Sequence, residues 1–359
     1  MSATSFWRDR RVFVTGHTGF KGSWLALWLG LYGARTTGYA LPPPTTPCLY
    51  DLAGVSRHLH SIIADINDAE QLAKAVRTAE PEIVFHLAAQ PLVRDSYAHP
   101  VETFATNVMG TVRLLEAVRS MPSVRAVIVV TTDKCYRNEE WVWGYRETDA
   151  LGGRDPYSAS KAAAELVAHA YRSSFFGQGP IVATARAGNV CGGGDFARDR
   201  LLPDFVRAIE RGSSLDIRNP EAVRPWQFVL EPLRGYLEIA ERAWRGQTEV
   251  AEAWNFGPDE QSARSVRDVV EIFASLCGEH RPADIRFDAC GPGPHEATLL
   301  KLDTAKARAR LAWRPCLDFE TTLALTARWY RGYLERDDLR ALSERQLEQY
   351  IRQSDRREK

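Results

Sequence analysis

The stretch Arg11-Val-Phe-Val-Thr-Gly16-His-Thr-Gly19-Phe-Lys-Gly22-Ser-Trp24 decides the fold class. Arg11 to Thr15 is a β-branched and aromatic run that reads as a strand. Three glycines follow at G-x-x-G-x-x-G spacing, and an apolar periodic segment from Ser23 to Tyr32 reads as a helix. A strand, a glycine turn and a helix in that order let backbone amides and a helix N-terminus face a pyrophosphate, because only glycine permits so close an approach.

Outward from this unit, strand-like and helix-like segments alternate. Thr36 to Ala40 reads as a second strand, and Pro42 to Pro47 as a loop. A helix capped near Asn67 or Asp68 runs to Pro81 and is followed by a buried strand from Glu82 to Ala88. Pro100 to Met121 has helical periodicity, Val124 to Thr131 suits a strand buried on both faces, Tyr157 to Phe176 is a long helix, and Ile181 to Ala185 is another strand. The expected fold is therefore α/β, a doubly wound parallel sheet of Rossmann type with a smaller C-terminal substrate-binding domain. The predicted division is 1–187 for the dinucleotide domain, with 226–256 returning to it, 188–225 and 257–350 for the substrate domain, and 351–359 as a charged tail. The stretch from Glu335 to Lys359 reads as a solvated helix with a frayed end.

Composition narrows the function. The chain has 359 residues, with 46 Lys+Arg against 46 Asp+Glu. That balance removes the uniform positive field expected of a nucleic-acid or anionic-membrane binder, so any phosphate must be gripped locally. Hydrophobic residues at 45% and charged residues at 26% fit a folded chain and not a disordered or fibrous one. Cys48, Cys135, Cys191, Cys277, Cys290 and Cys316 show neither a C-x-x-C pair nor zinc-like spacing, which implies reduced thiols and no metal. With no apolar signal core and no span-length apolar run, a cytoplasmic location and no membrane partner are expected. His58-x-His60 has ligand-like spacing but no third ligand pattern, and a structural or solvated role is expected.

Two further clusters bear on chemistry. Tyr157 and Lys161 lie four apart, on one face of a helix. A lysine ammonium beside a phenol favours the phenolate, lowering its pKa from the ordinary value of about 10, and makes Tyr157 a base for a sugar or alcohol hydroxyl. Thr131-Thr-Asp-Lys-Cys-Tyr136 stands at the end of a buried strand, the edge at which open α/β sheets build their sites. There Thr132 can bond a hydroxyl, and Asp133 and Lys134 can move protons. One expected feature is missing. No Asp or Glu falls between Lys21 and Asp51 to hold the adenine ribose, so the choice between NAD and NADP stays open by that test. Asp65-Ile66 can supply a carboxylate near the adenine or can serve plain helix-start chemistry.

Gly16–Gly22, His86-Leu-Ala-Ala-Gln90, Tyr157–Lys161 and Arg186-Ala-Gly-Asn-Val190 together resemble the extended short-chain dehydrogenase/reductase family. The longer strings Val14–Trp24, His86–Arg94, Thr132–Tyr136, Arg224-Pro-Trp-Gln227 and Val229-Leu-Glu-Pro232 resemble its nucleotide-sugar 4,6-dehydratases, specifically the branch that acts on CDP-glucose. The resemblance implies a tightly held NAD touching Gly16, Gly19, Phe20, Lys21, Gly22, Asp65, Ile66, Leu87, Ala88, Ala89, Tyr157 and Lys161. It implies that Tyr157, assisted by Lys161 and Thr132, takes the 4-hydroxyl proton, and that Asp133 protonates the departing C6 hydroxyl. Lys134 stands where dTDP-type relatives carry a glutamate read as the C5 base. A lysine is a poor base at neutral pH unless burial or a nearby cation depresses it, so Lys134 or another group does this work. Gln90, Asn189, Arg218 and Arg224 are implied on the nucleotide-sugar side. Trp226 beside them suits core packing better than base stacking. His295-Glu296 replaces the arginine that relatives present to the phosphates. A homodimer through the helices around 100–121 and 157–176, or a homotetramer, is expected. The competing readings are a nucleotide-sugar 4-epimerase, which Asp133-Lys134 disfavours, and a non-catalytic dinucleotide sensor.

Overall fold

The computed structural model describes residues 3–287 and 299–357. Its centre is a seven-stranded, wholly parallel sheet. In sequence the first six strands are β1 (Arg11–Thr15), β2 (Arg35–Ala40), β3 (His60–Ile63), β4 (Ile83–His86), β5 (Ala126–Val130) and β6 (Ile181–Ala187), and a seventh, Ala253–Phe256, comes much later. Across the sheet the order is seventh, β6, β5, β4, β1, β2, β3. The order reverses between β1 and β4, whose register pairs Val14 with Phe85 and Thr15 with His86. This reversal opens the crevice at which open α/β sheets bind ligands.

The strands are apolar on both sides because helices cover both faces. All five residues of β5, Ala-Val-Ile-Val-Val, are buried. One face packs against the helix Phe20–Leu31, whose Trp24, Leu25 and Trp28 are buried, and against the helix Leu230–Trp244. The other face packs against the helices Ala69–Ala79, Gly110–Arg119 and Pro156–Phe175. The predicted helix over 100–121 is interrupted: Pro100–Phe104 and Gly110–Arg119 are joined by a π-turn, Ala105–Met109, which turns Asn107 inward. Asn107 there donates to Ser160 Oγ at 2.9 Å and to the Gln90 carbonyl at 3.1 Å.

Buried histidines tie the strands at the crevice. His86 is wedged between the Thr15 hydroxyl at 2.8 Å and the Thr111 hydroxyl at 3.1 Å, and burial pushes its pKa down to about 3. His17 meets Ser61 Oγ at 2.7 Å and is pushed down to about 4, again chiefly by burial.

Residues 188–225, 257–287 and 299–357 form smaller pieces around the helices Leu201–Arg211, Val266–Cys277 and Phe319–Leu334. Two-stranded pairs stitch these together, among them Val223–Pro225 with Ala263–Ser265. The expectation of a solvated C-terminal helix is corrected. Leu339–Arg357 buries Leu339, Leu342, Leu347 and Tyr350, and the Tyr350 hydroxyl donates to Glu231 Oε2 at 2.7 Å. Its charged residues occupy one face only, and the apolar ones recur at helical spacing on the other.

Cys48, Cys135, Cys191, Cys277 and Cys316 are buried free thiols, and Cys290 lies outside the described residues. Among the described residues no helix is long and apolar enough to cross a membrane, and no cluster of His, Cys, Asp or Glu suits a metal. His58 pairs with Glu344 at 3.6 Å.

Candidate active site

A cleft of about 800 Å³ opens along the carboxyl edge of the sheet, from the glycine loop to the segment 187–226. Its floor begins where β1 ends. Gly16 has φ +77°, and a Cβ there would stand 2.6 Å from the Ala88 nitrogen; a Cβ at Gly22 would stand 2.1 Å from the Gly16 carbonyl oxygen. The helix Phe20–Leu31 starts at Gly19 with no side chain capping it, so its N-terminal turn faces the cleft. Bare backbone at a helix N-terminus fits a pyrophosphate and therefore fits NAD. Leu87, Ala88, Ala89 and Ile66 also line the cleft. After β2 the chain runs Leu41-Pro-Pro-Pro-Thr-Thr-Pro-Cys48, with no basic side chain for a 2′-phosphate. Asp65 satisfies both of its sequence readings: it lines the cleft, and its Oδ1 accepts the Asn67 amide at 2.9 Å. Lys21 projects into the cleft and is brought down to about 8 by burial, then by the charge of Arg200.

The reactive cluster stands above the end of β5. Thr132 caps a single turn, Asp133–Cys135. Its hydroxyl accepts the Lys134 amide at 3.3 Å, donates to Asp133 Oδ1 at 2.9 Å, and hydrogen-bonds the Tyr157 phenol. Tyr157 and Lys161 lie in the helix Pro156–Phe175, capped by Asp155, and the Tyr157 amide donates to Ser96 Oγ at 3.2 Å. Both side chains are nearly buried, and Lys161 Nζ donates to the Val130 carbonyl at 3.2 Å. The expectation that Lys161 lowers the phenol pKa is corrected. Burial pushes Tyr157 up to about 12, opposed by the Thr132 hydrogen bond and Arg200, while burial brings Lys161 down to about 8. Desolvation outweighs the lysine because the ammonium is turned toward the backbone of β5.

Beneath this cluster lies an ion pair that the sequence reading missed. Glu165, one turn beyond Lys161, accepts from the Thr131 hydroxyl, from Thr184 Oγ1 at 2.6 Å and from Arg186 at 2.8 Å. Burial opposes its charge, and Arg186 with the hydroxyls overcomes this and lowers its pKa. Arg186 also donates to the Tyr136 hydroxyl at 2.6 Å. Lys161 and Glu165 sit at i, i+4, and that spacing was the available signal.

The opposite wall comes from 188–226. Asn189, Arg218 and Arg224 line it, and Arg224 rides on the strand Val223–Pro225. Trp226 is 8% exposed, packs against the core and also lines the cleft. Gln90 is a correction: its amide donates to the Leu92 carbonyl at 3.1 Å and to Thr103 Oγ1 at 3.0 Å, and its oxygen accepts the Leu92 amide. It braces the loop after β4 and is not among the described residues that line the cleft. His295-Glu296 lies outside the described residues. Sequence reasoning also missed Asp195 and Arg200. Arg200 meets Asp195 Oδ2 at 2.7 Å, and the pair faces Tyr157 and Lys21. Asp199 stands between Arg94 at 3.5 Å and Arg218 at 3.6 Å, joining the two walls. No local motif announces these residues, because they meet the cluster only through the fold.

The family model of GDP-mannose 4,6 dehydratase matches residues 13–326. The chain belongs to this family. Among its curated relatives, the CDP-glucose 4,6-dehydratase of Salmonella typhimurium is 48% identical over 354 residues, covering 97% of this chain and 98% of that one. A dTDP-glucose 4,6-dehydratase of Xanthomonas campestris is 29% identical, covering 88% and 92%. Among solved structures, the dTDP-glucose 4,6-dehydratase DesIV from Streptomyces venezuelae, with NAD bound, superposes with a TM-score of 0.77 at 26% identity, covering 91% and 98%. The UDP-glucose 4-epimerase of Thermotoga maritima has the same TM-score at 24% identity, a likeness of fold.

Proposed function

We propose that the chain is an NAD-dependent CDP-glucose 4,6-dehydratase, a hydro-lyase that converts CDP-glucose to CDP-4-keto-6-deoxyglucose. One observation carries the reading: a chain 48% identical, along its whole length, to a CDP-glucose 4,6-dehydratase gathers Tyr157, Thr132 and Asp133 into one hydrogen-bonded chain facing the cleft. An epimerase has no use for an acid at C6, and a mere sensor has no use for the chain at all.

Gly16–Gly22 would hold NAD, which when bound would supply the hydride acceptor and donor for the exchange between C4 and C6 of the sugar. Tyr157 takes the proton of the 4-hydroxyl. The Thr132 hydroxyl hydrogen-bonds both the Tyr157 phenol and Asp133 Oδ1, so it bridges the group that takes the 4-hydroxyl proton and the carboxyl. Asp133 delivers a proton to the departing C6 hydroxyl, which leaves as water. The 4-ketone acidifies the C5 proton, and Lys134, beside Asp133 at the cleft, removes it and returns a proton to C5 when hydride is delivered to C6. Glu165 and Arg186 hold the end of β5 and the base of Lys161 in place. Asn189, Arg218 and Arg224 hold the nucleotide side, with Arg224 as charge-assisted donor to the diphosphate. The dinucleotide domain comprises 1–187 with 226–256, and the sugar-nucleotide domain 188–225 with 257–350. Exposed Tyr97, Val101, Phe104 and Met109, together with Leu166 and Phe175 on the neighbouring helix, give the chain an apolar face for a homodimer.

Incubation with CDP-glucose, dTDP-glucose and UDP-glucose in parallel, followed by mass spectrometry, tests the reading. Loss of one water is expected with CDP-glucose alone, and unchanged mass with all three ends it. In Lys134→Met, C5 hydrogen exchange with deuterated solvent is expected to fall by at least about 100-fold, the scale of a lost general base. Undiminished exchange removes Lys134 from the role.

A further inference from the structure

Asp199 carries a carboxylate into the cleft from a backbone that few side chains adopt. Its φ is +59°, in the left-handed region that side chains other than Asn, Asp and His rarely enter. The turn that holds it is fixed on both sides. Arg207 donates to the Phe196 and Ala197 carbonyls at 2.9 and 3.1 Å, and Arg200 donates to Asp195 Oδ2 at 2.7 Å. On this base the exposed Asp199 carboxylate stands between the half-buried Arg94 at 3.5 Å and Arg218 at 3.6 Å, and all three line the cleft. Arg94 is the second residue of the short helix Val93–Ala98 that follows β4, and Arg218 follows the strand Ser214–Ile217, so the two guanidiniums come from opposite walls. Neither contact is as close as the Arg200–Asp195 pair, and exposed ion pairs of such length hold weakly. The charges do not balance either. Two guanidiniums face one carboxylate here, and Asp204, which also lines the cleft, is paired with Arg207. A nucleoside diphosphate sugar carries two negative charges and offers phosphoryl oxygens to both arginines.

We propose that Asp199 is an internal competitor for the anion seat between Arg94 and Arg218, which the substrate's diphosphate takes by pushing the carboxylate aside, and that Arg94 is thereby a further ligand of the diphosphate from the cofactor wall. The proposal rests on the nucleotide-sugar reading above and deepens it. The dehydration changes only the hexose, so substrate and product carry the same diphosphate and meet the same competitor. Asp199 therefore lowers the affinity of both by one factor. Its effect on the cycle is to hasten release of a product that would otherwise keep every phosphate contact of the substrate. Asn and Gly enter the left-handed region at least as readily as Asp, so the backbone alone does not call for a charge at this position.

The test is calorimetric titration of CDP, and of cytidine as the ligand without phosphate, into the full chain loaded with NAD+. The proteins are wild type, Asp199→Asn, Arg94→Met and the double variant, with thermal melting to check that each folds. Asp199→Gly supplies a second uncharged variant at the same φ. In Asp199→Asn and Asp199→Gly, CDP is expected to bind about three- to tenfold tighter, the scale of an exposed ion pair that no longer has to be broken. In Arg94→Met, CDP is expected to bind about tenfold more weakly, the scale of one lost charge-assisted hydrogen bond. In the double variant the gain from Asp199→Asn is expected to shrink, because half of the seat is gone. Cytidine is expected to bind all four proteins alike. Raising salt from about 50 to about 500 mM is expected to erase most of the difference between wild type and Asp199→Asn. If the uncharged variants bind CDP more weakly than wild type, Asp199 is a latch that holds the two walls together and the proposal is overturned; unchanged affinity overturns it equally. A cytidine affinity that moves in step with that of CDP assigns the effect to shape and overturns it too. CDP binding untouched by Arg94→Met removes Arg94 from the diphosphate. If wild type binds none of CDP, dTDP and UDP, the nucleotide-sugar reading itself has failed, an outcome visible before any variant is made.

Discussion

The two sides of the cleft are built by different means. The cofactor side is made of strand ends and bare backbone: Gly16, Gly19 and Gly22 bring main chain within reach, and a Cβ at two of them would collide with main chain. The side proposed for the sugar nucleotide carries long charged side chains on short paired strands and loops, with Asp199 holding Arg218 and reaching across to Arg94, and Asp195 holding Arg200. Backbone recognition tolerates almost no change in shape, whereas side-chain recognition is graded and can be retuned one contact at a time. That contrast suits a family whose members share a cofactor but differ in nucleotide.

The contrast breaks most sharply at Gly22. A methyl group 2.1 Å from the Gly16 carbonyl has no flexible neighbour to displace, so Gly22→Ala is expected to weaken NAD binding by at least about 100-fold and to destabilise the fold by about 1–3 kcal/mol. Cofactor titration and urea unfolding measure the two effects, and normal binding in this variant would remove the loop from the site. Arg224→Leu sharpens the other side: KM for CDP-glucose should rise by about tenfold or more with kcat within about threefold, the pattern of lost uniform binding. NAD affinity should not change, and a matched loss of NAD binding would show that the two sides are not separate. The smallest effect distinguishes the halves by acid. The cofactor half holds His17 and His86 neutral, at about 4 and about 3, while among the described residues the sugar-nucleotide half has only half-buried His280. Depressed histidines bind protons better unfolded than folded, so stability falls as pH drops below the ordinary histidine value near 6.5. The loss is about 2 kcal/mol per histidine between pH 7 and pH 5. Hydrogen exchange at pH 5 should therefore accelerate first around β1 and β4.

The same contrast explains what could be read from the chain. Strands β1, β2, β4, β5 and β6 and the glycine loop were legible because local chemistry fixes them: β-branched runs bounded by glycine or proline, and a helix opened near Asp68. Tyr157 and Lys161 were legible as a pair by helical spacing. The direction of the Tyr157 shift was not, because it depends on how deeply the fold buries the phenol and on where Lys161 points. Asp195, Arg200 and Glu165 were invisible for a related reason. Their partners lie elsewhere in the chain or on another face, and only the assembled sheet brings Arg186 to Glu165. Gln90 was misassigned because a motif position gives no sign of whether its amide is already engaged by its own loop. The charged C-terminal stretch misled because composition hid the apolar face of its helix.

That last helix bears on how the protein is made. Tyr350 packs edge-on against Trp28 at 5.6 Å and hydrogen-bonds Glu231, and the seventh strand, Ala253–Phe256, closes the sheet beside β6. The helix behind the glycine loop therefore finds its full set of neighbours only after Tyr350 has been translated. During synthesis, Trp24 and Trp28 wait with apolar surface uncovered until Phe228 and Tyr350 arrive, and that interval is when this part of the chain is most exposed to misassociation.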